Sequence, residues 1–97
     1  MDIANLNPIE AIQHWLITPL GAYYGYPNYG NKIDKLLYHN RQDLHHASSL
    51  IIKDITEDLG RDYAKQIASI EILADRENFY IVVALKNKEY AVGVFNV

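Results

Sequence analysis

The chain has 97 residues, of which 49% are hydrophobic, with a net charge of −3 and no cysteine. This length predicts a single domain over residues 1–97, and the absence of thiols excludes disulfides and thiolate metal sites. The weakly acidic balance favours no nucleic-acid partner. No apolar run reaches transmembrane length and the first residues lack a signal-peptide pattern, so we expect assembly in a cytoplasm without a membrane partner.

The first 60 residues predict helices. Asn7 is expected to cap a first helix that ends before Pro19, and Asn31 to cap a short second helix at 32–39. A third and longest helix is predicted at 43–59, where a glycine follows as a stop signal. Its apolar residues recur at three- and four-residue spacing: Leu44, Ala47, Ile51, Ile55 and Leu59.

The remaining residues alternate with a period of two and predict strands at 67–73, 79–86 and 89–97. Short polar turns separate them, so the predicted fold class is α+β: two short and one longer N-terminal helix packed on a C-terminal three-stranded antiparallel meander. The predicted core comprises Trp15, Leu16, Ile33, Leu37, Ile51, Ile55, Ile70, Ile81 and Val83. Both faces of the middle strand are apolar, so we expect either helices on both sides or a partner on one.

Four tyrosines fall within seven residues between the first two predicted helices. Glycines and prolines in the same segment predict repeated tight turns. We expect Tyr26 and Tyr29 to pack against the domain or a neighbouring protein. Tyr23 and Tyr24 are the predicted outward anchors for a partner, because tyrosine combines a large apolar ring with a polar hydroxyl.

Catalytic and metal-binding patterns are weak. His39, His45 and His46 lack the helical spacing that directs two imidazoles at one ion. Glu57 and Asp58 are predicted neighbours on the exposed side of the third helix, outside any recognisable cleft. The glycines and serines match no phosphate loop and no nucleophile turn. We therefore expect neither an enzyme nor a cofactor nor a metal site.

The order of these motifs resembles the baseplate-wedge and sheath-initiator family of contractile phage tails and related injection machines (gpW-type, some members labelled "tail lysozyme-like"). The matching residues are Leu16, Thr18, Gly21, the corner Pro27-Asn28-Tyr29-Gly30, Leu36-Leu37 and the alternating strand from Ile67. Many family members carry Glu-Pro-Arg-Ile before that strand, a motif that docks on neighbouring wedge proteins. Here Ala64-Lys65-Gln66-Ile67 stands in its place, so only Lys65 and Gln66 remain as donors for this contact.

The resemblance implies a structural protein of the virion tail baseplate, present in multiple copies in a symmetric assembly. Its implied partners are the sheath protein, other baseplate wedge proteins and the tail tube. Arms of the sheath protein would add strands to its sheet. The last predicted strand is the expected edge, because it is apolar at Val92, Val94 and Phe95 and nearly free of charge.

Two alternative functions stay open at the level of the sequence. One is a small soluble regulatory binding module, since stress-response anti-adaptor proteins share the predicted fold. The other, less favoured, is a cell-wall hydrolase that would use the tyrosines as a sugar platform.

Overall fold

The computed structural model describes residues 7–96 and confirms the α+β class, with helices followed by a three-stranded antiparallel sheet. The elements are α1 (Pro8–Leu16), α2 (Ile33–His39), α3 (Leu44–Leu59), α4 (Arg61–Ala64), β1 (Ile67–Ala74), β2 (Phe79–Leu85) and β3 (Tyr90–Phe95). The single turn of α4 was not predicted. Residues 1–6 and Val97, the predicted end of the last strand, lie outside the described residues.

The helix ends follow from local side-chain chemistry. At the start of α1 the Asn7 side chain accepts from the Glu10 amide at 2.9 Å and donates to the Glu10 carboxylate at 3.0 Å. These reciprocal bonds satisfy one of the free amides of the first turn. Asp43 caps α3 in the same way, accepting from the His46 amide at 3.0 Å. Gly60 follows α3 with a φ of +95°, a conformation that favours glycine.

The strand order is β1-β2-β3, so β1 and β3 each leave one edge unpaired within the described residues. The register places Val82 of β2 opposite Glu71 on one side and Val92 on the other. An irregularity between Ile67 and Ser69 marks the start of β1. Opposite residues of neighbouring strands share a face, so this register defines which side chains line each side of the sheet.

The helices pack on one face of the sheet, α1 against β3 and α3 against β1. Eight of the nine predicted core residues are buried there, and Ile70 is the exception because it lies only partly buried on the edge strand β1. We call this the covered face. The other side is the open face, where no helix of residues 7–96 packs. Leu73 is 54% exposed there and Val94 59%. Of the two expected alternatives, helices on both sides are excluded for residues 7–96, and a partner on the open face stays a prediction.

Candidate functional site

The free edge of β3 presents unpaired backbone groups at alternate residues. In the β2–β3 hairpin the Leu85 amide donates to the Glu89 carbonyl at 2.8 Å. Antiparallel pairs alternate between bonded and non-bonded positions, so the next bonded pairs are at Ala91, Gly93 and Phe95. The amides and carbonyls of the intervening residues, Tyr90, Val92 and Val94, therefore point away from β2.

One of these outward groups has a partner from α1. The side-chain amide of Gln13 donates to the Val92 carbonyl at 3.3 Å. This bond is long and exposed, and such bonds contribute little net stability. The Gln13 side chain thus covers the β3 edge near its middle. Val94, two residues further along the strand, makes no hydrogen bond with it.

A groove of about 550 Å³ runs beside the same edge. The end of α1 and the residues after it form one wall, and the second half of β3 forms the other. Its apolar lining residues are Leu16, Ile17, Pro19, Val92, Val94 and Phe95. Because Val94 is exposed and borders the groove, an added strand would contact both backbone and apolar side chains here.

The predicted edge residues differ in what they present. Val92 and Val94 place their side chains on the open face, whereas Phe95 is buried on the covered face. Strand periodicity explains the difference, since successive residues face opposite sides. Phe95 therefore supports the edge from inside instead of presenting its ring to a partner.

Asn31 anchors the loop between α1 and α2, which we call the tyrosine loop (residues 17–32). Its side-chain amide donates to the carbonyls of Trp15, Leu16 and Thr18 at 2.8, 3.0 and 3.2 Å. These carbonyls lie in the last turn of α1 and just beyond it, where the helical i to i+4 bonding ends. The prediction that Asn31 caps α2 is confirmed only in part. The helix begins one residue later than predicted, with Lys32 as the N-cap, but Asn31 Oδ1 still accepts from the Ile33 amide at 3.3 Å.

Gly30 brings the two ends of the tyrosine loop together. A Cβ atom at this position would lie 2.4 Å from the Pro19 carbonyl oxygen, and the backbone has a φ of +131°. The Leu20 amide donates to the Asn31 carbonyl and the Asn31 amide to the Thr18 carbonyl, at 3.0 and 2.9 Å. Only glycine permits this approach, so the loop is fixed at its base.

The four tyrosines of the loop have different environments. Tyr29 is 9% exposed, Tyr26 57% and Tyr24 99%, and Tyr23 is partly buried. The Tyr23 ring lies 5.1 Å from His14, 5.1 Å from Tyr26 and 5.5 Å from Tyr29. The prediction of Tyr23 as an outward anchor was therefore wrong, because Tyr23 occupies the centre of an aromatic cluster. Tyr26 contacts Tyr23 from the outside of this cluster and is more than half exposed, so its packing against a neighbouring protein stays a prediction.

The buried Tyr29 hydroxyl lies 3.1 Å from Nδ1 of His14. Its burial, then the Asp58 carboxylate and the neighbouring Tyr23, raise the pKa of Tyr29 to about 12. The phenol is thus kept neutral, as a structural hydrogen-bonding group.

Two carboxylates of α3, Asp58 and Asp54, accept hydrogen bonds from the tyrosine loop or the adjoining end of α1. Asp58 Oδ2 accepts from the Trp15 indole at 2.8 Å and from the Gly30 amide at 3.2 Å. The predicted exposure of Asp58 was wrong, since it lies half-buried beside the exposed Glu57. Asp54, 5% exposed, accepts from the Lys32 amide at 3.0 Å. Burial raises the pKa of the Asp54 carboxyl; the Lys32 hydrogen bond opposes this rise and the Asp58 charge adds to it.

Lys65 and Gln66 lie apart from the loop and the β3 edge, in the turn between α4 and β1. The Lys65 ammonium group is 3.4 Å from the Asp62 carboxylate in an exposed ion pair. The Gln66 carbonyl accepts from the Lys86 amide at 2.8 Å, which extends the pairing of β1 with β2. These two residues therefore present a local surface without the carboxylate and guanidinium of the family motif.

Sequence reasoning missed the edge contact of Gln13, the bonds of Asn31 to the end of α1 and the buried role of Asp58. A signal for Asp58 exists in α3, because residues 51, 54, 55 and 58 follow the three- and four-residue spacing of its buried face. The Trp15 indole, which needs an acceptor once it is buried, is the complementary signal.

Residues 7–96 contain neither a metal-ligand cluster nor a membrane-spanning helix. No group of three or more histidines or carboxylates there is arranged to hold a metal ion. No helix in that range has the length and apolar character needed to cross a bilayer.

In comparisons with known proteins, no family model matches this chain, and no curated protein or solved structure is significantly similar to it. The resemblance to baseplate-wedge proteins therefore stays a prediction from the sequence.

Proposed function

We propose that this protein is a non-enzymatic assembly component that recognises a partner by strand addition at the free edge of β3. The observation that carries this proposal is the outward backbone of Tyr90, Val92 and Val94 beside a groove lined by both apolar and polar residues. Strand addition requires such an edge, and alternate side chains then set the register.

The other edge of the sheet is less suited to this role. β1 begins with an irregularity between Ile67 and Ser69 and carries Glu71 on the open face. Bulges and charges are devices by which natural edges resist pairing. β3 contains no charged residue between Tyr90 and Phe95. The comparison of the two edges therefore favours β3 as the acceptor.

Strand addition at β3 would also cover part of the open face. Residues of a new strand opposite Val92 and Val94 would place side chains beside them on that face. The weak Gln13 bond to the Val92 carbonyl is the one intramolecular contact that we expect to open. Displacing it costs little, because the incoming strand supplies a replacement donor.

From the resemblance to baseplate-wedge proteins, we propose that this protein works in the baseplate of a contractile phage tail or related injection machine. The added strands would come from arms of the sheath protein, so this protein would initiate the sheath around the tail tube. Other wedge proteins are the proposed neighbours, and the fully exposed Tyr24 is the proposed aromatic anchor for one of them. Several copies would repeat these contacts in a symmetric assembly within the virion.

Val94→Pro tests the edge. The Val94 amide points away from β2, so proline removes a donor from the free edge without breaking the β2–β3 ladder. We expect tails that contain tubes and baseplates but no ordered sheath, seen by electron microscopy. Val94→Thr is the matched control, since it keeps the branched shape and the backbone amide.

Circular dichroism must first show that Val94→Pro is folded. Ordered sheath on particles that contain the folded variant would contradict the assignment of β3. Mass spectrometry of purified tails separates this function from a free regulatory module, because a baseplate component is present at fixed stoichiometry. A zymogram against peptidoglycan tests the hydrolase alternative.

A further inference from the structure

A second surface depression lies away from the β3 edge, between the tip of the tyrosine loop and α3. It is a shallow, open depression of about 390 Å³, lined by Gly25, Tyr26, Pro27, Asn28, Tyr29, Glu57 and Asp58. We call it the tyrosine–carboxylate pocket. Its lining contains two phenol rings and two carboxylates but no lysine, arginine or histidine. Such a wall is complementary to a cation.

The two carboxylates of the pocket differ in how firmly they are held. Two donors, the Trp15 indole and the Gly30 amide, fix Asp58 through Oδ2. Glu57 is exposed and, within residues 7–96, makes no hydrogen bond or ion pair; the ion pair found in that range joins Lys65 to Asp62. Asp58 is thus positioned in advance, and Glu57 is available to a ligand.

The charged groups that line the pocket are both carboxylates. The Asp58 charge is one cause of the raised pKa of Tyr29, which lines the same pocket. Lys32 and Lys53 lie in a neighbouring groove, which also reaches Glu57 and Asp54. These two lysines do not line the tyrosine–carboxylate pocket.

We propose that the tyrosine–carboxylate pocket binds a guanidinium group, presented as an arginine side chain of a protein partner. A planar guanidinium stacks on an aromatic ring while its edge donates to carboxylates. Tyr26, more than half exposed, offers the ring, and Glu57 and Asp58 offer the acceptors. An ammonium group is more strongly hydrated and lacks the planar face, so the pocket favours arginine over lysine.

This inference does not depend on strand addition, because the pocket and the β3 edge share no residue. It is tested directly on the isolated protein. The probe is N-acetyl-arginine amide, titrated into ¹⁵N-labelled protein while backbone amide shifts are followed by NMR. We expect saturable shifts confined to the amides around Gly25, Tyr26, Asn28 and Glu57.

Two probes and two variants identify the chemistry. N-acetyl-citrulline amide has nearly the same shape without the charge, and N-acetyl-lysine amide carries an ammonium; both are expected to bind more weakly. Glu57→Gln and Tyr26→Leu are each expected to weaken arginine binding about two- to fivefold. Glu77→Gln is the matched control, an exposed carboxylate in the β1–β2 turn, and is expected to leave binding unchanged.

Three outcomes of these titrations would overturn the proposal. Equal binding of citrulline amide would show that charge plays no part, and equal binding of lysine amide would remove the guanidinium assignment. Equal weakening by Glu57→Gln and Glu77→Gln would replace a defined pocket with general electrostatic attraction. Unchanged amide shifts elsewhere in each variant show that it is folded.

Discussion

The two faces of the sheet have similar apolar character but opposite environments. On β2, Ile81 and Val83 are fully buried beneath the helices, whereas Tyr80, Val82 and Ala84 on the open face are only half-buried. Hydrophobicity along the strand does not separate these two sets. The difference comes from the helices, whose apolar faces can pack on only one side of so small a sheet.

Gly93 shows how β3 accommodates a helix on the covered face. A Cβ atom there would lie 2.8 Å from the Phe95 ring and 3.4 Å from Leu16 Cβ. The neighbouring Val92 and Val94, on the open face, meet no such restriction. One strand thus combines a tight contact for the protein's own core with a face that stays free for a partner.

The largest expected effect is on the covered side. Ile51→Ala should lower the free energy of unfolding by about 2–5 kcal/mol, because Ile51 is fully buried and the truncation leaves a cavity. Urea unfolding followed by circular dichroism measures the loss. Ile52→Ala, one residue along the same helix and exposed, is the matched control and should cost less than about 1 kcal/mol. Similar losses for the two variants would show that α3 packs through a different face.

The fold could be predicted from the sequence to a large extent because its signals are local. The Asn7 cap, the Gly60 stop and the alternation from residue 79 each depend on residues a few positions apart. The tyrosine loop could not be predicted in the same way. Its geometry depends on Asn31 bonding back to the end of α1 and on Asp58 bonding 43 positions back to Trp15.

The candidate site was predictable in part for a similar reason. The apolar, uncharged character of β3 is visible in the sequence, and so is its position at the end of the meander. The direction of each backbone amide is not, because it depends on the pairing register of the hairpin. The Gln13 bond to Val92 likewise joins residues 79 positions apart and leaves no local pattern.

A medium effect is expected at Gly93, where the covered face is tightest. Gly93→Ala should lower the free energy of unfolding by about 1–3 kcal/mol, since the new methyl group overlaps the Phe95 ring. Adding Phe95→Leu should recover part of that loss, and a double-mutant cycle from urea unfolding measures the coupling. Additive losses, or stabilisation by Gly93→Ala, would mean that the Phe95 ring does not restrict the side chain at residue 93.

The smallest effect is expected on the open face. Val92→Thr should change the free energy of unfolding by no more than about 0.5 kcal/mol, because its side chain is partly exposed and threonine keeps the branched shape that strands favour. The same substitution on the covered face, Val83→Thr, should cost about 1–3 kcal/mol, since it buries a hydroxyl among apolar side chains. Urea unfolding of both variants at several protein concentrations makes the comparison direct. Equal losses would show that the open face is covered in solution, and a loss for Val92→Thr that grows with protein concentration would identify the cover as another copy of this chain.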